Sequence, residues 1–200
     1  MVRAVFLVLE TGGTGGTEVY VEGLARHLAG YGKVTVIALN ADAAALQNRF
    51  PGVSVAAVEG IKGLKALTQT HPDAIYNLHL YSSLLPAVQA LRRAGALVVT
   101  TLHMPLGPWN ILHRMRWRLA VARSIAVIGV SAACLTGYGP LLSGKPVAKV
   151  AGPMPLDILP LPRPALPLNP GDLFEVFFVG RLEREKDLSV LVRAMHGLHV

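Results

Sequence analysis

Short apolar runs rich in β-branched residues alternate with longer stretches of helical periodicity along most of this 200-residue chain. Strands that are apolar throughout and are separated by helices are typical of parallel sheets with crossover connections. The pattern therefore predicts an α/β fold, a Rossmann-like parallel sheet with helices on both faces. The predicted strands are residues 3–10, 33–39, 53–58, 73–79, 96–103, 124–130 and 146–151. The predicted helices are residues 17–30, 41–49, 61–70, 82–94 and 109–122.

The helical pattern after the first strand has one apolar face. Tyr20 and Leu24 lie four residues apart with Val21 beside them, whereas Glu18 and Glu22 form the opposite row. A surface helix packs its apolar stripe on the sheet and turns its charged row to solvent. The pattern therefore predicts that this helix lies flat on the sheet.

The composition changes sharply after residue 152. Seven of the 14 prolines lie between Pro153 and Pro170, and proline fixes φ and lacks an N–H donor. Such a stretch is typical of a semi-rigid linker. A further apolar run at residues 173–180 and a helical pattern at residues 187–199 follow it. We therefore expect a Rossmann-like domain at residues 1–152, a proline-rich linker at 153–172, and the first βα unit of a truncated second domain at 173–200.

The charge balance favours anionic partners. The formal charge of +7 attracts nucleotides, phosphorylated acceptors or acidic membrane surfaces. Nucleic acid is not expected, because no helix-turn-helix, zinc-finger or RNA-reading motif accompanies the basic residues. The single Cys134 and the lack of a long uncharged apolar run predict a cytoplasmic protein without a spanning helix. The sequence contains no Asp-x-Asp pair and no Cys/His spacing typical of a metal site, so no metal site is expected.

Two turns stand where an apolar run passes into a helical pattern. One is T-G-G-T-G-G-T-E at residues 11–18, and the other is G-R-L-E-R-E-K at residues 180–186. In α/β sheets such turns lie at the carboxyl ends of the strands, where helix N-termini offer N–H groups to anions. The first turn is not a dinucleotide fingerprint, because Glu18 stands where that motif needs glycine or alanine. Together the turns predict a diphosphate site between two domains.

With these motifs the chain resembles the family 4 retaining glycosyltransferases of the GT-B fold. G-R-L-E-R-E-K is close to the stretch that opens the family's second domain, and G-G-T-E at residues 15–18 is similar to its first turn. T-L-H at residues 101–103 and G-V-S at residues 129–131 are similar to two further strand ends. The resemblance implies transfer of a glycosyl group from a nucleotide diphosphate sugar to an acceptor hydroxyl, with retention and without a metal or other cofactor. It also implies that residues 173–200 begin the nucleotide-sugar-binding domain.

The resemblance further implies roles for individual residues. Arg181 and Lys186 would bind the donor phosphates, and Gly15 and Gly16 would let the backbone approach them. His103 would be the catalytic residue, bonding the transferred sugar or moving a proton near the leaving group. The residues alone leave other interpretations open. Arg181 and Lys186 could instead belong to an exposed turn with ion pairs. Gly15 and Gly16 could belong to a mobile loop, and His103 could have a structural role.

The sequence departs from the family pattern in two places. The family's acidic E-x7-E element has no counterpart here, and G-P-M-P-L-D at residues 152–157 replaces the usual N-G-V-D. We therefore expect this chain to be incomplete as an enzyme, with further sequence or a second chain completing the C-terminal domain. The competing interpretation is a non-catalytic binding or assembly module. In either case His79, at the end of a predicted strand, is expected to shape the pocket.

Aromatic residues and arginines are mixed at residues 108–118. On a helix, Arg114 and Arg118 share one face and Arg116 and Arg123 the opposite one, so no clean apolar stripe is evident. One interpretation is an interfacial helix in peripheral contact with the inner membrane face. The other is a surface helix that tucks its aromatic residues inward. The expected partners are a nucleotide-sugar donor and a sugar or lipid-linked acceptor.

Overall fold

The parallel sheet predicted by the alternating pattern is present. A computed structural model describes residues 4–10, 15–40, 43–107, 110–151 and 188–196. Seven strands lie parallel in one sheet. They are β1 (Val5–Leu9), β2 (Val34–Leu39), β3 (Ser54–Val58), β4 (Ile75–His79), β5 (Leu97–Leu102), β6 (Ala126–Gly129) and β7 (Val147–Lys149).

Helices connect the strands as crossover connections. They are α1 (Gly16–Ala29), α2 (Ala43–Arg49), α3 (Gly60–Thr70), α4 (Leu84–Arg93), α5 (Ile111–Arg123), α6 (Ala132–Leu135) and α7 (Gly139–Leu142). A further helix, α8 (Leu188–His196), follows the last strand in the chain. All seven strands predicted in residues 1–152 and all five predicted helices are confirmed, with ends that differ by at most a few residues. The short helix α7 carries too few residues for a periodic pattern, and the sequence did not indicate it.

The strand order is β3-β2-β1-β4-β5-β6-β7. The chain builds outward from β1 to β3 and then returns to the other side of β1, so the winding direction reverses between β1 and β4. In doubly wound sheets, ligands bind beside the carboxyl ends of the strands at this switch point. A ligand site is therefore expected among the residues that follow β1, β4 and β5.

Helices cover both faces of the sheet, because the strands carry apolar side chains on both faces. In β1, Phe6 and Val8 pack in a core with α3, α4 and α5, whereas Leu7 and Leu9 pack in a second core with α1 and α2. Successive side chains of a strand point to opposite faces, so one strand contributes to both cores. Burying each such side chain stabilises the fold by roughly 1.5–3 kcal/mol.

The few polar side chains inside the sheet have hydrogen-bond partners. Thr101 Oγ1 donates to Asn77 Oδ1 at 2.7 Å, which joins β5 to β4. The hydroxyls of Thr100 and Ser124 are 2.7 Å apart, and Ser124 Oγ also donates to the Ala120 carbonyl at 3.0 Å. These bonds offset the cost of removing polar atoms from water.

The chain divides into two compact units, residues 1–157 and residues 158–200. The first contains the sheet. Within the second, the described residues form α8, which lies where the sequence predicts a helix. The proline-rich linker, the strand expected at residues 173–180, and both Arg181 and Lys186 lie outside the described residues.

Candidate functional site

Side chains from three elements meet at the switch point of the sheet. His79 is the last residue of β4, and His103 directly follows β5. Tyr20, from the second turn of α1, packs against both imidazole rings. Because parallel strands end at the same edge of a sheet, residues far apart in sequence come together here. This group, His79, His103 and Tyr20, is called the histidine cluster below.

The two histidines of the cluster contact each other through ring nitrogens. His79 Nδ1 lies 2.9 Å from His103 Nε2. Two ring nitrogens at this distance form a hydrogen bond only if one carries a proton and the other offers a lone pair. The two rings therefore cannot both be cationic while this contact is kept.

Burial keeps both rings neutral. His79 is 3% exposed, and burial, together with the charge of His103, holds its pKa well below the usual range. Burial also lowers the pKa of His103 to about 4. Removing a cation from water is unfavourable, which is why these shifts are downward. At neutral pH the cluster offers hydrogen-bonding groups without positive charge.

Tyr20 forms one wall of the cluster. Its ring centroid is 5.7 Å from that of His79 and 5.1 Å from that of His103, with the second pair nearly perpendicular at 89°. The buried hydroxyl of Tyr20 and the buried Nε2 of His79 have no hydrogen-bond partner among the described residues. Buried polar atoms are usually paired, so these two atoms mark the cluster as unusual within the core.

The unpaired Nε2 of His79 indicates how the protons are arranged. An orphaned buried N–H is rarer than an orphaned buried acceptor, so Nε2 of His79 is best assigned as a lone pair. Then His79 Nδ1 carries the proton and donates it to His103 Nε2. The proton of His103 is consequently on its Nδ1. His79 thus sets the tautomer of His103, which goes beyond the pocket-shaping role expected from the sequence.

Glu10 joins β1 to the start of α4, and the sequence analysis did not single it out. Its carboxylate accepts the backbone N–H groups of Tyr81, Ser82 and Ser83 at 2.7, 3.0 and 2.9 Å. It also accepts the hydroxyls of Ser82 and Ser83. Burial alone would raise the pKa of Glu10, but these hydrogen bonds outweigh it and lower the pKa. Glu10 is therefore an ionised cap across the switch point.

Gly15 and Gly16 lie at the start of α1, beside the same edge of the sheet. The Gly15 N–H donates to Glu18 Oε2 at 2.9 Å, and a Cβ on Gly15 would stand 2.9 Å from that oxygen. A Cβ on Gly16 would meet nothing within 4 Å. Gly15 is thus needed for the close approach of Glu18. In the sequence Glu18 falls in the row opposite the apolar stripe, but its side chain folds back over the helix start and is buried.

The structure brings His103 together with His79 and places both glycines at the same edge. In the described ranges, no group of three or more His, Cys, Asp or Glu side chains could hold a metal ion. Ser131 is the N-cap residue of α6, although its side chain makes no capping hydrogen bond.

Known proteins similar to this chain give the site a context. The family model for Glycosyltransferase Family 4 matches residues 14–136, more than half of the chain. The matched stretch contains both glycines, Tyr20 and both histidines of the cluster. No match was found among proteins of curated function.

Solved structures of Anabaena Alr3699/HepE share the fold. The complex with UDP-glucose has a TM-score of 0.58 at 17% identity, and the match covers 74% of this chain and 43% of that chain. The complex with UDP and glucose has a TM-score of 0.60 at 15% identity, and the match covers 75% of this chain and 44% of that chain. The complex with UDP has a TM-score of 0.55 at 20% identity, and the match covers 74% of this chain and 44% of that chain. This chain therefore spans less than half the length of these relatives.

Proposed function

The chain belongs to glycosyltransferase family 4, and on that premise we propose that it provides the acceptor-side domain of a glycosyltransferase. The reaction is transfer of a sugar from a nucleoside diphosphate to an acceptor hydroxyl, with retention of configuration. The observation that carries this proposal is the neutral histidine cluster at the switch point. The residues that form it lie inside the stretch that the family model matches.

The neutral state of His103 suits glycosyl transfer. As the bond to the leaving diphosphate breaks, the sugar gains positive character and the diphosphate gains negative charge. A cation beside the sugar would oppose this change, whereas a neutral N–H stabilises a sugar hydroxyl without repulsion. In this proposal the Nδ1–H of His103 donates to a hydroxyl of the transferred sugar, and His79 holds the ring in that tautomer.

Positive charge is useful at the opposite end of the donor. We assign it to Arg181 and Lys186, because a guanidinium binds phosphate oxygens as a fork and an ammonium adds a point charge. Gly15 and Gly16 complete this assignment by letting the start of α1 approach a phosphate. The support for these four residues is their motif context in the sequence.

The domain organisation is part of the proposal. Residues 1–152 form the acceptor-side domain, 153–172 the linker, and 173–200 the start of the nucleotide-sugar domain. The likeness to less than half of each HepE chain supports an additional donor-binding part, in the same product or in a second chain. The buried thiol of Cys134, which forms no disulfide, fits a reducing cytoplasm.

UDP-sugars are the first donor class to test, because the HepE structures hold UDP or UDP-glucose. The experiment is calorimetric titration of the chain with UDP, GDP and ADP in the presence of EDTA. We expect saturable binding of UDP that the chelator does not change. The Arg181→Ala/Lys186→Ala variant should bind at least about 10-fold more weakly, since hydrogen bonds to charged groups contribute about 1.5–3 kcal/mol.

A matched control separates the phosphate site from general charge. Lys62 and Lys65 are exposed on α3, and Lys62→Ala/Lys65→Ala removes the same charge while keeping UDP affinity. Unchanged affinity in the Arg181→Ala/Lys186→Ala variant would contradict the phosphate assignment. Absence of binding to all three nucleotides would contradict a donor site on this chain and would assign donor recognition to the additional part.

A further inference from the structure

Helix α5 has two apolar faces, one buried and one exposed. Trp117, Ala120 and Val121 are buried against the core, which confirms that Trp117 turns inward. The other face carries four large apolar side chains in solvent. They are Ile111, Leu112, Met115 and Leu119, with exposed fractions of 71%, 69%, 59% and 40%. This face is called the outer stripe.

The outer stripe borders a groove. The groove has a volume of about 730 Å³, and its walls are formed by α5 and by Leu141 of α7. Its apolar lining on the α5 side is Leu112, Met115, Leu119 and Ala122. Single exposed apolar side chains are ordinary, but a contiguous apolar face of this kind marks a binding surface.

Arginines border the outer stripe on both sides. At 100° per residue, Arg114 and Arg118 lie along one edge of the stripe, and Arg116 and Arg123 lie along the other. In the sequence, these two rows on opposite faces argue against a clean apolar stripe. The structure corrects this, because the rows lie between the buried face and an exposed apolar face that the sequence pattern had hidden.

The stretch of sequence that contains α5 has no acidic residue over a long range. Residues 74–156 hold eight Lys and Arg and no Asp or Glu. Among the described residues, an ion pair joins Arg26 and Glu22 on α1, and none of the four α5 arginines takes part in one. The positive charge beside the stripe is therefore not neutralised by carboxylates of the same region.

We propose that the outer stripe and its arginine rows bind the surface of a bilayer that contains anionic phospholipids. Helix α5 would lie in the plane of the interface, with its apolar side chains at the boundary of headgroups and acyl chains. The arginines on both sides would reach lipid phosphates, and such charges attract an anionic leaflet. No described helix is long and apolar enough to cross a membrane.

A bilayer fits these observations better than a protein helix seated in the groove. Arg116 and Arg118, one from each row, line the groove, whereas Arg114 and Arg123 are not among its lining residues. A helix in the groove would therefore meet two of the four arginines, whereas a planar anionic surface can meet both rows and the stripe at once. This proposal is independent of the proposed function, because it requires neither donor nor acceptor. Its test accordingly uses the chain with lipid alone.

The experiment is flotation of the chain with vesicles of phosphatidylcholine alone and of phosphatidylcholine with phosphatidylglycerol. We expect binding to the anionic vesicles that falls as salt is added. Removing three arginines in Arg114→Gln/Arg116→Gln/Arg123→Gln should weaken it about 100-fold, since each basic residue near such a surface contributes about fivefold. The stripe variant Leu112→Gln/Met115→Gln/Leu119→Gln should weaken it by a similar factor.

A charge-matched control is available on a distant part of the domain. Lys33, Lys62 and Lys65 are exposed at the start of β2 and on α3, and changing all three to Gln removes the same charge. This control should retain vesicle binding. Circular dichroism checks that every variant is folded, which is expected because the substituted side chains are exposed.

Three results would overturn the proposal. The first is equal binding to both kinds of vesicle, and the second is equal loss in the lysine control and the arginine variant. The third is no vesicle binding together with self-association, seen by sedimentation velocity, that the stripe variant abolishes. That last result would assign the outer stripe to a second copy of this chain.

Discussion

His79 Nδ1 and His103 Nε2 lie 2.9 Å apart at the carboxyl edge of the sheet. This contact makes the two histidines one unit, since the proton on one ring determines where the proton of the other must be. It also explains why a buried histidine at the end of β4 belongs to the candidate site.

We expect His103 to carry its proton on Nδ1 at neutral pH. Nitrogen-15 NMR of the imidazole rings distinguishes this tautomer from the Nε2–H form. In His79→Leu the donor to Nε2 is lost, and His103 should shift toward the Nε2–H tautomer. In His79→Gln the side-chain amide can still donate, so the wild-type tautomer should be largely kept. An unchanged spectrum in His79→Leu would show that His79 does not position His103.

The stability of the fold should fall as the pH drops from about 6.5 to 4. The pKa of His103 is lowered to about 4 and that of His79 lies well below the usual range, so in this window the unfolded chain binds protons at both histidines that the folded chain does not. Stability is then present above about pH 6.5 and decreases toward pH 4, by about 3 kcal/mol for His103 and by a further amount for His79. Denaturant unfolding at several pH values measures this slope. The same slope in His79→Gln/His103→Gln would contradict the assignment.

His103 should distinguish a sugar nucleotide from the bare nucleotide. If its N–H donates to the transferred sugar, His103→Leu loses one hydrogen bond to UDP-glucose and none to UDP. We expect UDP-glucose affinity to fall about 10-fold while UDP affinity stays unchanged. Calorimetry of both ligands with wild type and variant gives the comparison. Equal weakening of both would place His103 near the nucleotide or in a structural role.

Removing the charge of Glu10 should destabilise the fold. Glu10→Gln loses a carboxylate that accepts three backbone N–H groups before α4, and loss of a cap of this kind costs about 1–2 kcal/mol. Chemical denaturation of the two chains measures the difference. Glu22→Gln is the control, because the Glu22–Arg26 pair lies on the surface of α1 and such pairs contribute under about 1 kcal/mol. Equal losses in both variants would show that Glu10 is not a special cap.

The two glycines before and at the start of α1 should respond differently to alanine. In Gly15→Ala the new Cβ would meet Glu18 Oε2 at 2.9 Å, so the capping carboxylate must move, at a cost of about 1 kcal/mol. Gly16→Ala places its Cβ in open space and should be neutral or slightly stabilising. Thermal unfolding of both variants checks the order. If Gly16 also approaches a donor phosphate, Gly16→Ala will weaken UDP binding without lowering stability.

The sequence by itself determined the sheet and its crossover helices. Each predicted strand in the first unit is a short apolar run bounded by turn residues, and helices with one apolar face, such as α1, have a local period. These signals arise from neighbours within a few residues, so they can be seen without knowing the partners. The position of His103 at a strand end followed for the same reason, because the end of an apolar run marks the end of β5.

Only the tertiary structure decided the contacts that make the site. His79 and His103 are 24 residues apart, and Glu10 meets Ser83 across 73 residues, so both contacts depend on which strands are neighbours. The outer stripe of α5 was hidden for a related reason. A helix with apolar residues on two opposite faces gives no clear period, and only packing of Trp117 against the core shows which face remains in solvent. Strand order and packing are global properties, and these determined which of the residues marked by the sequence lie together.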